Sequence, residues 1–392
     1  MYGALYSSRS GALRRGFLIM LAILGLLHAY IGSRLLPALS IGVAGQVVGW
    51  LLLVASWALI PSALMSRSRR GRSSAADRLQ WSALIAMGLF SSLFVFTLLR
   101  DVSLLIAAVF TPAALAAQVQ NVSAWIVVGA AVFATLVGYI NARRVARVVH
   151  VDVPIANLPA ALHGFSIAQI SDVHVGPTIR RNYVEGIVAA VNKLEADAIA
   201  ITGDLVDGSV RELASHVEPL SRLRARYGTF FVTGNHEYYS GERAWTHELR
   251  RLGMRVLVNE HVVLDHGDAK LVIAGVTDYS AHHFDPVNRS DPAAALVDAP
   301  TDAGAKILLA HQPRSAPAAA AAGFDLQLSG HTHGGQFWPW NFFVRFQQPF
   351  TAGLDRLGAL WVYTSRGTGY WGPPKRFGAP SEITRIRLVP AS

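Results

Sequence analysis

Ala198-Ile199-Ala200-Ile201-Thr202-Gly203-Asp204 is the stretch that decides the fold. A short apolar strand runs into a glycine turn and delivers a carboxylate at its carboxyl end. The same order recurs along the second half of the chain. Residues 165–170 form an apolar run ending at Ser171-Asp172-Val173-His174, and 229–233 end at Gly234-Asn235-His236-Glu237. Residues 306–310 lead to His311, and 326–328 lead to Gly330-His331-Thr332-His333. Further strands are expected at 271–276, 361–364 and 383–388. Helices are expected at 182–194, where Val184, Ile187, Val188, Val191 and Leu194 share a face, and at 210–226. In α/β folds ligands bind outside the carboxyl ends of strands, so these loops should meet at one rim. The pattern predicts an αββα sandwich, with two packed mixed sheets flanked by helices.

The first half reads differently. A mean hydropathy of +0.34 is high for a wholly soluble chain, and nearly all the excess lies in 16–142. Four apolar runs, 16–32, 39–65, 79–99 and 122–140, can each cover a hydrocarbon core of roughly 30 Å, which takes about 20 helical residues. Residues 102–117 are apolar too, but Pro112 interrupts them and only Arg100-Asp101 separates them from the third run. They are read as a continuation of the third helix or as an interfacial helix. The division is therefore a transmembrane helical domain at 1–150 and an α/β domain at 151–392, with 151–159 as a linker. His28 falls inside the first run and is placed near the interface.

The formal charge of +10 is mostly arginine, and much of it flanks the apolar runs. Membrane topology explains it more economically than nucleic acid, which is not expected as a partner. Arg9, Arg14, Arg15, the five arginines between Arg67 and Arg78, and Arg143, Arg144 and Arg147 fall on one side of a four-span arrangement. Arg34 and Arg100 fall on the other. The positive-inside rule then puts the α/β domain in the cytoplasm, on a multi-pass inner-membrane protein whose first partner is the lipid bilayer. Arg14-Arg15-Gly16-Phe17-Leu18 resembles a twin-arginine signal, but three further runs follow, and it is read as a basic flank.

Cysteine is absent, which excludes disulfides and thiolate metal sites. The motifs supply carboxylate, imidazole and amide donors instead. Asp172 and His174 can bind one ion and Asp204 can bridge two. Asn235, His311 and His331 complete the second, and His333 joins the first. Carboxylate with imidazole suits Mn²⁺ first, then Fe or Zn²⁺. Two such ions imply hydrolysis of a phosphate ester. His236 has no place among the ligands and is the natural general acid for a leaving oxygen. Each motif alone carries little weight. Their fixed order, each after an apolar strand, is what makes a site.

This set resembles the calcineurin-like metallophosphoesterase superfamily over about residues 160–392. The resemblance implies that Asp172, His174, Asp204 and His333 hold one metal, and that Asp204, Asn235, His311 and His331 hold the other. It implies a metal-bridging hydroxide that attacks phosphorus in line, with His236 assisting departure. Gly330-His331-Thr332-His333-Gly334-Gly335-Gln336 and Ser365-Arg366-Gly367-Thr368-Gly369 are similar to the YkuE-like bacterial branch, whose members often carry N-terminal membrane helices. Some relatives hydrolyse the pyrophosphate of a nucleotide-linked lipid A precursor. A lipid-linked phosphate ester or pyrophosphate is accordingly the expected substrate. Two alternatives stand beside it: a phosphodiesterase for soluble nucleotides with the helices as anchor, and a membrane signalling or scaffold protein with a non-catalytic domain. Arg366 is expected to pair with a substrate phosphate. The aromatics of 337–350 are read either as part of a core or cover strand or as a surface that meets the membrane interface.

The charge asymmetry has a direct test. A fluorescent reporter fused after Ser392 should be active in the cytoplasm, and an alkaline phosphatase fusion at the same place should be inactive. Strong phosphatase activity would reverse the orientation.

Overall fold

The computed structural model describes residues 2–65 and 74–391, and the chain divides into two compact units, Met1–Val137 and Gly138–Ser392. The Arg67–Arg72 part of the basic loop used to orient the membrane half lies outside the described residues.

The first unit is built from α1 (Tyr2–Leu35), α2 (Gly42–Met65), α3 (Ser74–Ala107) and most of α4 (Ala113–Arg143). All four are long and apolar enough to cross a membrane. Residues 102–117 are helical on both sides of a turn at 108–112, so they extend α3 and begin α4. His28 is internally satisfied. Its Nδ1 donates to the Leu24 carbonyl at 2.8 Å, its Nε2 lies 3.1 Å from Ser56 Oγ, and its ring stacks on Phe90. Arg34 and Tyr30 both bind Asp101, at 2.6 and 2.7 Å, while Arg100 donates to Ser123 Oγ and the Gln120 carbonyl. These bonds tie α1, α3 and α4 together at one level of the bundle.

The second unit is an αββα sandwich. Its strands are β1 (Arg147–Ile155), β2 (Ser166–Ile170), β3 (Ala198–Thr202), β4 (Thr229–Val232), β5 (Arg255–Val256) and β6 (Glu260–His266). Then follow β7 (Ala269–Gly275), β8 (Ala305–Leu309), β9 (Leu326–Ser329), β10 (Gly353–Leu357), β11 (Leu360–Thr364) and β12 (Glu382–Pro390). Helices α5 (Arg181–Asn192), α6 (Val210–Val217), α7 (Asn235–Ser240), α8 (Glu242–Arg251) and α9 (Ala316–Ala322) connect them. One sheet has the order β1-β12-β2-β3-β4-β5 and the other β10-β11-β9-β8-β7-β6. Both are mixed, since β12–β2, β10–β11 and β6–β7 are antiparallel within otherwise parallel arrays.

The apolar residues sort into layers as the two-sheet architecture requires. Ile167, Ala200, Phe230 and Val232 from the first sheet meet Leu271, Ile273, Ile307 and Leu328 from the second. Ile199, Ile201 and Phe231 face the other way, against Ile187, Val191, Trp245 and Leu249 of α5 and α8. The second sheet's outer face packs on α9.

Three expectations need correction. Residues 151–155 of the expected linker are strand instead, because β1 pairs in parallel with β12 from Arg147↔Glu382 to Ile155↔Pro390 and buries Val153 and Ile155. Its proline is tolerated because β1 is an edge strand. The helix expected over 210–226 stops at Val217 and tightens into a short 3₁₀ turn, with Pro219 just inside that turn. The 337–350 segment is not a strand but contains two short 3₁₀ turns, leaving Trp340, Phe342, Phe343 and Phe346 exposed.

Candidate metal centre

The motif loops leave β2, β3, β4, β8 and β9 at their carboxyl ends, where parallel strands bring them to one rim. Five of the side chains expected there sit on unusual backbone. Asp172 (φ 53°), His174 (54°), Asp204 (50°), His331 (71°) and His333 (52°) are all in the left-handed region. Each such residue costs of order 1–3 kcal/mol and persists only where its surroundings hold it. Two glycines permit the crowding. A Cβ on Gly203 (φ 86°) would lie 2.6 Å from the Gly234 nitrogen, and one on Gly330 would lie 2.0 Å from Ser171 Oγ.

The donors gather in groups that share members. His174 Nε2 and His333 Nε2 are 3.0 Å apart, and His333 Nε2 is 3.5 Å from Asp172 Oδ1. His311 Nε2 is 3.1 Å from His331 Nδ1 and 3.2 Å from Asp204 Oδ2. Asp204 Oδ2 is also 3.9 Å from His174 Nε2, so one carboxylate oxygen stands between the groups. Asp172, His174 and His333 form one set able to hold an ion, Asp204, His311 and His331 another, and His174, Asp207 and His236 a third. Asn235 Oδ1 is buried with no hydrogen-bond partner among the described residues.

The hydrogen bonds around these rings test whether cations fit. His311 Nδ1 donates to the Thr202 carbonyl at 2.8 Å, which leaves a lone pair on Nε2 facing the Asp204 carboxylate. Lone pair against anion is repulsive unless a proton or metal intervenes. Burial pulls the His311 imidazole down, yet the Asp204 charge outweighs it and holds the ring well above its ordinary value. His174 Nδ1 donates to Asp207 Oδ1 at 3.2 Å, which likewise leaves Nε2 with a lone pair. Arg376 donates to His333 Nδ1 at 3.1 Å, and the opposite nitrogen, Nε2, faces His174 Nε2 at 3.0 Å. Divalent cations would take the positions between these facing donor atoms. With an unpartnered amide oxygen beside them, the donors fit a carboxylate–imidazole metal site.

Two residues that the motif reading passed over hold this centre together. Asp207 Oδ1 accepts from His236 Nδ1 at 2.5 Å as well as from His174. Burial pushes the Asp207 carboxyl up, but the two imidazoles outweigh it and keep it ionised. His236 is depressed by burial and raised more strongly by Asp204 and Asp207, to about 9. Its Nε2 lies 3.9 Å from Asp204 Oδ2. Glu237 accepts from the backbone nitrogens of Asp204, Leu205, Val206 and Gly234, at 2.6–3.3 Å. It locks the loop after β3 to the loop after β4. A signal for Asp207 was present in Gly203-Asp204-Leu205-Val206-Asp207, where the second carboxylate recurs three residues on. Glu237 was legible only as a neighbour of Asn235.

Arg366 is bound to Glu382, with Nη1 3.0 Å from Oε2, and its side chain is about one-third exposed (36%). The rest of its loop is stitched to the Asp172 loop. Thr368 N donates to the Ser171 carbonyl and Gly369 N to the Asp172 carbonyl, at 2.7 and 3.1 Å. The loop carries Trp371 to His236, ring centroids 5.7 Å apart, and Tyr239 meets His236 at 5.5 Å. His282 and His283 pair with each other at 4.0 Å and belong to none of the donor sets.

The α/β sandwich thus gathers candidate metal donors at the carboxyl ends of its strands. A calcineurin-like phosphoesterase model matches residues 165–335. A transmembrane protein with metallophosphoesterase domain from Danio rerio is 38% identical over 262 residues, covering 65% of this chain and 60% of that protein. An uncharacterized metallophosphoesterase of Aquifex aeolicus is 34% identical over 224 residues, covering 57% and 84%. The uncharacterized metallophosphoesterase YkuE of Bacillus subtilis is 28% identical over 239 residues, covering 59% and 81%. The chain belongs to the calcineurin-like phosphoesterase family, and it spans about 60% of the length of the vertebrate relative.

Because Asp207 orients two rings, Asp207→Asn should loosen both. Divalent-metal affinity is expected to fall about 10–100-fold, as for partners that orient metal-bound histidines. Calorimetric titration of the purified chain with Mn²⁺ checks this.

Proposed function

We propose that this chain is a membrane-bound phosphohydrolase that uses two divalent cations, with Mn²⁺ the first candidate. The reading rests above all on Asp204, whose Oδ2 lies 3.2 Å from one imidazole group and 3.9 Å from the other. Asp172, His174, His333 and Asp204 would hold one ion, and Asp204, Asn235, His311 and His331 the second. When bound, the pair would supply Lewis acidity at the phosphoryl group and a hydrolytic water.

The chain's own residues do the remaining work. Asp207 accepts the Nδ1 proton of His236, and the ring, raised to about 9, carries a second proton on Nε2 that faces the space beside Asp204, where a leaving oxygen can take it. Glu237 holds the Asp204 and Asn235 loops at fixed spacing. Burial excludes water from Asp172 and His311 and strengthens every charge interaction there. Trp371 and Tyr239 flank His236 and offer apolar surface to a leaving group.

The substrate reading is a phosphate ester or pyrophosphate with an apolar part, carried in or on the bilayer. Four membrane-length helices would raise the effective concentration of such a substrate. The exposed Trp340, Phe342, Phe343 and Phe346, which follow His333 closely in sequence, are suited to an acyl chain or to the membrane interface. The cytoplasmic orientation belongs to the same reading.

The test is hydrolysis and metal content of the purified full chain. Wild type should hold about two ions and hydrolyse lipid-linked phosphates in preference to soluble nucleotides, and Asp204→Asn should lose both metal and activity. A fully active Asp204→Asn protein would sink the mechanism, and a preference for nucleotides would remove the lipid reading. His236→Ala should keep both ions while the rate falls about 10²–10⁴-fold, with a smaller loss on aryl phosphates, whose oxygen leaves without protonation. An equal loss on alkyl and aryl substrates would remove His236 from that role.

A further inference from the structure

At about 1.5 Å per residue, the 31-residue α4 is near 46 Å long, well beyond the roughly 30 Å that a hydrocarbon core needs. Its last residues, Gly138–Arg143, belong to the second compact unit. They are fastened to it by several bonds. The Arg376 backbone nitrogen donates to the Gly138 carbonyl at 2.8 Å, and Asn141 Nδ2 donates to the Arg376 carbonyl at 3.2 Å. Arg143 Nη1 donates to the Thr178 carbonyl at 2.8 Å and to Tyr370 Oη at 3.2 Å. Gly138 allows the close approach, since a Cβ there would lie 2.6 Å from Lys375 Cγ.

The Arg376 side chain leaves this anchored backbone in the other direction and is buried, with 1% of the residue exposed. Nη1 donates to the His333 carbonyl at 2.9 Å, and Nη2 to His333 Nδ1 at 3.1 Å. Nη2 and Nε both donate to the Gly369 carbonyl, at 2.6 and 3.1 Å. One planar guanidinium thus grips His333 at its backbone and at its ring, and ties both to the loop that runs over Asp172. The grip on the carbonyl matters because His333 sits at φ 52°, a conformation its own chemistry does not favour. The grip on Nδ1 turns the opposite ring nitrogen toward His174 and Asp172.

We propose that Arg376 is a positioning residue for His333, and that the end of α4 is a built-in part of the metal centre because it holds Arg376 in place. The proposal rests on the reading of His333 as a metal ligand. A membrane-length helix then has two jobs, and its final turn contributes to the affinity of one of the two ions. Residues 138–143 lie before the start of the family match at 165, so a fragment cut at the family boundary would lose this support.

The experiment uses the full chain in detergent and counts Mn²⁺ by elemental analysis and calorimetric titration, independently of turnover. Wild type should bind two ions. Arg376→Met should keep its thermal transition and one tight ion, while the other weakens about 10–100-fold. Arg376→Lys, which keeps one donor and the charge, should fall between. Asn141→Ala touches no ligand and should weaken the same single ion by several-fold. Should Arg376→Met fail to fold, Asn141→Ala alone decides. A folded Arg376→Met or Asn141→Ala protein that binds both ions as wild type does would overturn the proposal. Equal weakening of both ions would also overturn it, because that marks general loosening. A wild type that binds no divalent ion would instead remove the proposed function itself.

Discussion

Buried carboxylates facing buried imidazoles are the constraint on which the rest of this domain depends. Asp172 and Asp204 are 0% and 3% exposed, and Asp207 is held with them at the rim. Burying an unpaired carboxylate costs several kcal/mol, so each must be compensated. The imidazoles of His311 and His333 face Asp204 and Asp172 across positions that a cation would take, and His236 and His174 donate to Asp207. The charge balance explains why the ring nitrogens that face outward from the centre are each assigned to a fixed partner. Thr202, Asp207 and Arg376 take those roles for His311, His174 and His333.

The surrounding fold can be understood as scaffolding for that arrangement. Five donors sit on left-handed backbone, and something must hold each of them there. Glu237 does so for the Asp204 loop through backbone nitrogens alone. Asp172 in turn accepts from the His331 backbone nitrogen at 2.9 and 3.0 Å, tying the β2 loop to the β9 loop across the gap between sheets. The loop after β11 closes over Asp172 with Thr368 and Gly369, and Gly369 is needed because a Cβ would meet the Val173 carbonyl at 2.1 Å. Strain at the rim is therefore distributed over contacts from both sheets.

Much of this was legible from the chain alone. The four apolar helices, the strand–loop order and the gathering of six of the proposed donors at one rim follow from local patterns: length and hydropathy for the helices, an apolar run followed by a metal-type residue for the strands. Burial on one or both faces is imposed residue by residue along an element, and sequence records it directly. The readings that failed share a cause. Residues 151–159 looked like a linker because their pairing partner, β12, lies more than 200 residues away, and a proline at an edge strand carries the same letters as one in a loop. The 337–350 aromatics carry no period that distinguishes a cover strand from an exposed turn.

The sequence by itself marked the residues proposed to bear the chemistry, because donor type and order are properties of the letters. Only the tertiary structure decided how those donors are held. Asp207, Glu237 and Arg376 act through hydrogen bonds to rings and backbone on other elements, and no spacing along the chain encodes an angle between two strands. The same holds for Arg366, whose guanidinium is bound by Glu382, a partner set by the register of the loop after β11 against β12. It holds again for α4, which reads as one membrane-length helix and yet gives its last turn to the globular unit. Local burial is written residue by residue. Long-range hydrogen bonding is fixed only when the sheets close on each other and bring distant loops to one rim.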